Sequence, residues 1–553
     1  MKLLTKHNFS LFFIFLFLFF LYFKLVFNDY VLDYDDNLLL TPLHSMNTMK
    51  DYFILLFNGL LSDFQPIRDI SYLFDIQIEK WFHFSIFHST NLILWFSICL
   101  LFYKSLSFFS NSKLNFLIML ALLFSPISVS SVAWISARKH LLACFFILLA
   151  TTFSVKNRKS PSMFFSFLIL IIYTLSVLSH PITLFWPLWF LIFFLNSKHS
   201  KFFKAVLIVD MCFLGFLNYK YYLGPYVYLN FGVSKIHSFD LAFSLLSLGR
   251  YFQLSFWPFG FLPTPHSEGS LQNLIGLFFL PIIIFMVTKI KSAWTKKLIF
   301  SIMPLYFFLL LPVVSIKTNI FCSDTYLLTP LVVFLFCSRS LLRNNFSTLF
   351  FLSIFVFTSI YFTWSYIPIF YNSNNIWNFS FSKEATPTSL LAVAKISTIK
   401  KNFSRADKLL KVLQEWEPNQ IDLQLAVIQN IYLNESSSPQ VRINRLKKIK
   451  PDNSTKSFYL ALLAVNIHDS LLFYSIYNDV LSEPRRFSSD FGSRPESVLA
   501  AFSASCLYFN ELDNCQKKIS FLNKFIEFRS WNEVKFNSEY LRFKKLDDKI
   551  FFN

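Results

Sequence analysis

The chain has 553 residues, 54% of them hydrophobic and 20% aromatic, with 75 Phe and only 9 Gly. A mean hydropathy of +0.48 excludes a soluble globular protein over most of the length, and the scarcity of Gly argues against a nucleotide-binding loop domain. The net charge of +19 is spread over short loops in small clusters, so membrane topology explains it better than a nucleic-acid partner. The stretch 9–27 is apolar apart from Lys24 and lacks a small-residue cleavage site, which predicts a retained first span. Further apolar runs lie near 86–103, 114–133, 141–155, 162–179, 182–195, 203–222, 271–288, 298–315, 327–342 and 346–366. Together they predict about eleven spans and an all-α polytopic bundle. Lys and Arg cluster in alternate loops, at Lys2 and Lys6, Lys104 and Lys113, 156–159, 198–204, 289–297, and Arg339 with Arg343. The positive-inside rule makes those loops and the N-terminus cytoplasmic and turns everything after the last span outward.

The first outward loop, 28–85, carries Asp29, Asp33, Asp35 and Asp36 close to the membrane end of span one. Four acids in eight residues beside lipid suggest surface chemistry; the alternative is solvated negative charge on an outward loop. The middle of that loop, 46–81, mixes Phe, Leu and Trp with polar groups, the pattern of an amphipathic helix lying in the interface. His88 and Asn91 are one helical turn apart at the start of the second span, placed to meet a substrate or to hold helices together. Arg138 and Lys139 follow the third span on an outward loop, against the charge rule. A lipid phosphate would attract cations there, and snorkelling to headgroups would account for them as well. Arg250 precedes Trp257 and Pro258 in an apolar segment suited to a re-entrant element.

Beyond about residue 370 the long apolar runs stop and charged residues become frequent, marking a soluble outward domain over 371–553. Apolar positions recur at helical spacing, and Pro418, Pro451 and Pro484 recur at intervals of about 33 residues, close to a tetratricopeptide repeat. Ala406 falls where that repeat needs a small residue, so a tetratricopeptide-like array with a concave binding surface is expected. Cys506 and Cys515 lie in this tail at a spacing that permits a disulfide.

In order along the chain, Asp35-Asp36, Gln65 to Tyr72, Phe87 to Leu92, Ala133 to Lys139, Leu178 to Pro181, Trp257-Pro258 and Ser323 to Tyr326 followed by Pro330 resemble the transmembrane and tetratricopeptide-repeat O-mannosyltransferases. These belong to the GT-C glycosyltransferases, which take sugars from polyprenyl phosphates, and the resemblance covers nearly the whole chain. It implies catalytic roles for Asp35 and Asp36, as base or as ligands of a divalent cation (Mg or Mn). It implies cations for the donor phosphate, for which Arg138, Lys139 and Arg250 are the candidates. Arg68, His88, Asn91, His140, Asp324 and Tyr326 lie in or beside the shared stretches and would support the site. The implied partners are the lipid bilayer, a polyprenyl-phosphate-linked sugar and a protein or glycan acceptor. The chemistry agrees, because a hydroxyl attacking an anomeric carbon must lose its proton and a carboxylate can take it.

Several charged positions of that pattern are replaced. An acid expected before the Ala-Trp-Ile stretch is Ser130, and one expected after Lys139 is His140. A Lys expected after Ser179 is His180, an Arg expected before Pro66 is Gln65, and an Arg expected after Asp324 is Thr325. These losses leave open a catalytically inactive member acting as a membrane-anchored helical scaffold. A transporter is disfavoured by the scarcity of intramembrane charge. Abundant Phe, Lys, Asn and Ile match an AT-rich bacterial genome, which would make the membrane a bacterial inner membrane and outward periplasmic.

Overall fold

Every regular element among the described residues of the computed structural model is helical. Those residues are 2–26, 65–106, 112–157, 163–187, 201–218, 241–260, 324–342, 345–383, 387–416 and 421–449, with isolated positions elsewhere. The chain divides into two compact units, Met1–Ser380 and Phe381–Asn553.

The first unit contains α1 (Lys2–Val26), α2 (Pro66–Phe82), α3 (Phe87–Leu106), α4 (Ser112–Leu123), α5 (Pro126–Ala133), α6 (Arg138–Asn157), α7 (Met163–Ser179), α8 (Lys201–Asn218), α9 (Leu241–Phe256), α10 (Leu328–Leu341), α11 (Phe346–Tyr366) and α12 (Ser373–Lys383). Among the described residues three helical segments, Phe87–Leu106, Ile135–Ser154 and Phe346–Tyr371, are long and apolar enough to cross a membrane. A fourth is formed if α4 and α5, bent by 53° at their junction, count as one span. Shorter apolar helices occupy Phe13–Val26, Met163–Ser179 and Ala205–Leu217. Apart from Tyr306 and Leu310, the expected spans at 271–288 and 298–315 lie outside the described residues.

The core is built on α3, whose buried Leu92, Trp95, Cys99, Phe102 and Leu106 recur at helical spacing. They share one cluster with Leu141, Cys144, Ile147 and Leu148 of α6. On α11 the opposite pattern appears: Phe350, Ile354, Phe357, Tyr361 and Trp364 form an exposed stripe, the surface a spanning helix offers to lipid. The bend between α4 and α5 follows from Pro126, which has no N–H to continue the helix. Two carbonyls freed there are capped from neighbouring helices. Trp95 Nε1–H donates to Leu123 O at 3.1 Å, and Thr363 Oγ1–H donates to Phe124 O at 2.7 Å. Broken backbone at membrane depth is tolerated when protein groups satisfy it in this way.

The second unit opens with α13 (Pro387–Ile399), α14 (Phe403–Trp416), α15 (Ile421–Leu433) and α16 (Pro439–Lys447). Lys401 takes a left-handed φ of 60°, which reverses the chain between α13 and α14, and Asn402 Oδ1 accepts the Arg405 N–H to start α14. Ala406 is fully buried on α14, where its small side chain suits close helix packing. A polar chain ties all four helices together. Thr398 donates to Asn430 Oδ1 at 2.9 Å, Asn430 donates to Asp407 Oδ1 at 2.7 Å, and Arg445 pairs with Asp407 at 3.2 Å. Pro418, Pro451, Pro484, Cys506 and Cys515 lie outside the described residues.

Candidate functional site

The helix α2 falls within the stretch 28–85 expected to form the first outward loop, and its amphipathicity is inverted. Arg68, Asp69, Tyr72, Asp75 and Ile76 are buried, while Ile70, Phe74, Trp81 and Phe82 are exposed. Pro66 at its first turn fixes the start, and His83, at φ 58°, ends it by donating its N–H to Glu79 O. Such a helix presents its polar face to the protein and leaves its apolar face for lipid.

What that polar face meets is Arg138, the first residue of α6, which follows a 3₁₀ turn at Ile135–Ala137. Its guanidinium is fully buried, and all three nitrogens are engaged. Nε donates to Asn91 Oδ1 at 2.7 Å, Nη1 to Ser71 O at 3.3 Å and Nη2 to Phe87 O at 2.9 Å. Nη2 also forms an ion pair with Asp75 at 2.5 Å, and the Tyr72 ring lies 4.7 Å from the guanidinium carbon. A cation at a helix N-terminus opposes the helix dipole, so the Asp75 carboxylate offsets an unfavourable position as well as a desolvated charge. Thr90 Oγ1–H holds the other Asp75 oxygen at 2.9 Å. Burial pushes the Asp75 carboxyl up, and the guanidinium of Arg138 and the Thr90 hydroxyl pull it back toward the ionised form.

Asn91 completes this junction. Besides accepting from Arg138, its Nδ2 donates to Val132 O and Trp134 O at 3.2 and 3.3 Å. Those carbonyls are exposed by the end of α5, where Trp134 is extended. Tyr72 Oη–H donates to Ile135 O at 2.7 Å across the same break. His88 is buried beside this junction, one residue from Phe87. Ser130, fully buried, spends its hydroxyl on Ile127 O of its own helix.

Next to Arg138 the chain places a ring cluster. The His140 and His180 centroids are 4.5 Å apart, and Tyr326 lies 4.9 Å from His140, edge-on, and 5.9 Å from His180. Asp324 opens the 3₁₀ turn that carries Tyr326. His180 caps the turn Pro181–Thr183, its Nδ1 accepting the Ile182 N–H at 3.1 Å. A neutral imidazole that accepts at Nδ1 carries its proton on Nε2. That Nε2 is buried without a hydrogen-bond partner among the described residues, a state that costs about 1–3 kcal/mol. Lys139 is half-buried between the two groups in sequence, and its charge acts on both histidine rings.

The expected site residues therefore fall into three sets. Arg68, His88, Asn91, Arg138, Lys139, His140 and Tyr326, the last on the turn that Asp324 opens, gather around the α2, α3 and α6 ends, with Arg68 bonded to Asp69 at 2.8 Å. Arg250 is half-buried on α9, a helix whose aromatic contacts run to Tyr306 and Phe334. Asp35 and Asp36 lie outside the described residues. Arg138, expected to meet phosphate, instead has every guanidinium nitrogen bonded within the protein, because Asp75 and three oxygens surround it. Asp75, Tyr72 and Thr90 were not anticipated. The signal was the spacing of Arg68, Tyr72, Asp75 and Ile76, which puts polar groups on one face opposite Ile70, Phe74 and Trp81. Among the described residues no three His, Cys, Asp or Glu side chains group as a metal site, and the acids expected to hold a cation are not among those residues. No protein-family model, curated protein or solved structure matches the chain.

Proposed function

We propose that the chain is an integral membrane glycosyltransferase of the GT-C type, moving a sugar from a polyprenyl phosphate to an outward-facing protein or glycan acceptor. One observation supports this most: stretches that carry the family resemblance, far apart in sequence, meet at one junction through Arg138, Asn91, Tyr72 and the His140–His180–Tyr326 cluster. In this reading Asp35 or Asp36 takes the proton of the acceptor hydroxyl as it attacks the anomeric carbon. Departing phosphate charge is stabilised by Lys139 and Arg250. Arg138 acts as a positioning residue that locks the outward-loop helix α2 onto the bundle. A divalent cation, if used, would be held by Asp35 or Asp36 and would stabilise phosphate charge. The alternation of basic loops supports an outward position for this junction, and in this reading the helical second unit serves as a tetratricopeptide-like surface for the acceptor.

The engaged guanidinium of Arg138 and the replacements at Ser130, His140 and His180 favour a second reading, a non-catalytic scaffold with the same fold. Transfer itself separates the two. Membranes containing the full chain, supplied with a labelled polyprenyl-phosphate sugar, are expected to label protein or glycan above membranes lacking it, while a labelled nucleotide sugar gives none. Absence of labelling across several lipid-linked sugars would favour the scaffold.

A further inference from the structure

The two histidines at positions where the family pattern has an acid and a Lys are in ring contact, with centroids 4.5 Å apart. Where an acid is expected at 140 the chain has His140, and His180 still carries a donor. The tautomer is set by the backbone, since the Ile182 N–H occupies Nδ1 and leaves the proton on Nε2. His180 is 3% exposed, and its Nε2 meets no acceptor among the described residues. A buried N–H aimed at nothing is costly, so its environment calls for an acceptor oxygen. The surroundings select the kind of oxygen. Lys139 and Arg68 both act on the His180 ring with positive charge, Arg68 being partnered by Asp69. Lys139 and Tyr326 are half-buried, and the Tyr326 ring meets both His140 and His180. A donor N–H flanked by cations and aromatic rings suits an anionic oxygen on a ligand with an apolar body.

We propose that His180 Nε2–H, with the Lys139 ammonium, binds a phosphate-ester oxygen of a membrane lipid, in the first place the phosphate of the polyprenyl donor. This rests on the transferase reading for the identity of the lipid, though not for the phosphate contact itself.

Two substitutions separate the donor from the cap. His180→Asn keeps an acceptor near Nδ1 for the Ile182 N–H and removes the Nε2 donor; His180→Gln keeps an amide N–H near Nε2 and gives up the cap. The full-length protein in detergent micelles is titrated with undecaprenyl phosphate and, separately, with phosphatidylglycerol, and binding is read by native mass spectrometry. The wild type is expected to bind undecaprenyl phosphate at least about tenfold more tightly than phosphatidylglycerol. His180→Asn should lose about tenfold of that affinity, and His180→Gln should stay within about threefold of the wild type. Loss of the same size for both lipids, with no preference in the wild type, supports the phosphate contact and assigns it to headgroups. Wild-type affinity in His180→Asn, or no binding of either lipid by the wild type, overturns the proposal. Binding needs no transfer, so a failure here is distinct from a failure to transfer sugar.

Discussion

Arg138 and Asp75 form a buried ion pair that joins α6 to α2. Both are fully buried, so each would be an uncompensated charge without the other. Arg138→Met and Asp75→Leu are each expected to destabilise the protein by about 3–5 kcal/mol, whereas the double variant should cost clearly less than the two added together. Thermal unfolding in detergent measures this, and strict additivity would contradict the pairing. The pH dependence has a definite sign. Burial raises Asp75, and in Arg138→Met the guanidinium no longer opposes that rise. A carboxyl raised on folding contributes stability in acid and loses it as pH climbs through its folded value. Arg138→Met should therefore weaken with rising pH relative to Asp75→Leu/Arg138→Met, which has no carboxyl there to titrate. A constant difference between the two variants would contradict this.

At the level of elements, the broken helix pair α4–α5 and the inverted helix α2 set the geometry. Pro126 marks the break in the sequence, but the groups that satisfy it, Trp95 and Thr363, are 28 and 239 residues from the carbonyls they cap. Trp95→Phe keeps an aromatic ring and removes the donor to Leu123 O. It is expected to cost about 1–3 kcal/mol, read as a lower unfolding temperature, because a buried carbonyl loses its partner. No change would mean that the break is satisfied by another route. The same contrast separates what the sequence reveals from what it hides. Apolar runs announce α3, α6 and α11 because a bilayer demands their length. Similarly, Asn402 and Ala406 mark the α13–α14 hairpin through local cap and packing chemistry. Long-range polar pairing leaves no such period, so the sequence does not reveal that Asp75 pairs with Arg138. Charge against the topological rule told that Arg138 was special without telling which anion it had.

For the molecule as a whole, helical order, membrane association and a second helical unit follow from hydropathy and its abrupt end. The division falls after Ser380, later than the change in composition near residue 370, because Phe370, Ile376 and Phe379 still pack into the first unit. That first unit brings the inverted helix α2, the chain break between α5 and α6 and a histidine pair to one junction. In the proposed reading, sugar transfer requires the acidic pair Asp35 and Asp36. The most direct measurement is the rate of sugar transfer from labelled polyprenyl phosphate by full-length Asp35→Asn and Asp36→Asn proteins in membranes, each compared with the wild type at equal expression. At least one substitution should lower the rate by about 100-fold or more, as loss of a catalytic carboxylate does, with unchanged unfolding temperature. Wild-type transfer rates in both variants would contradict the assignment.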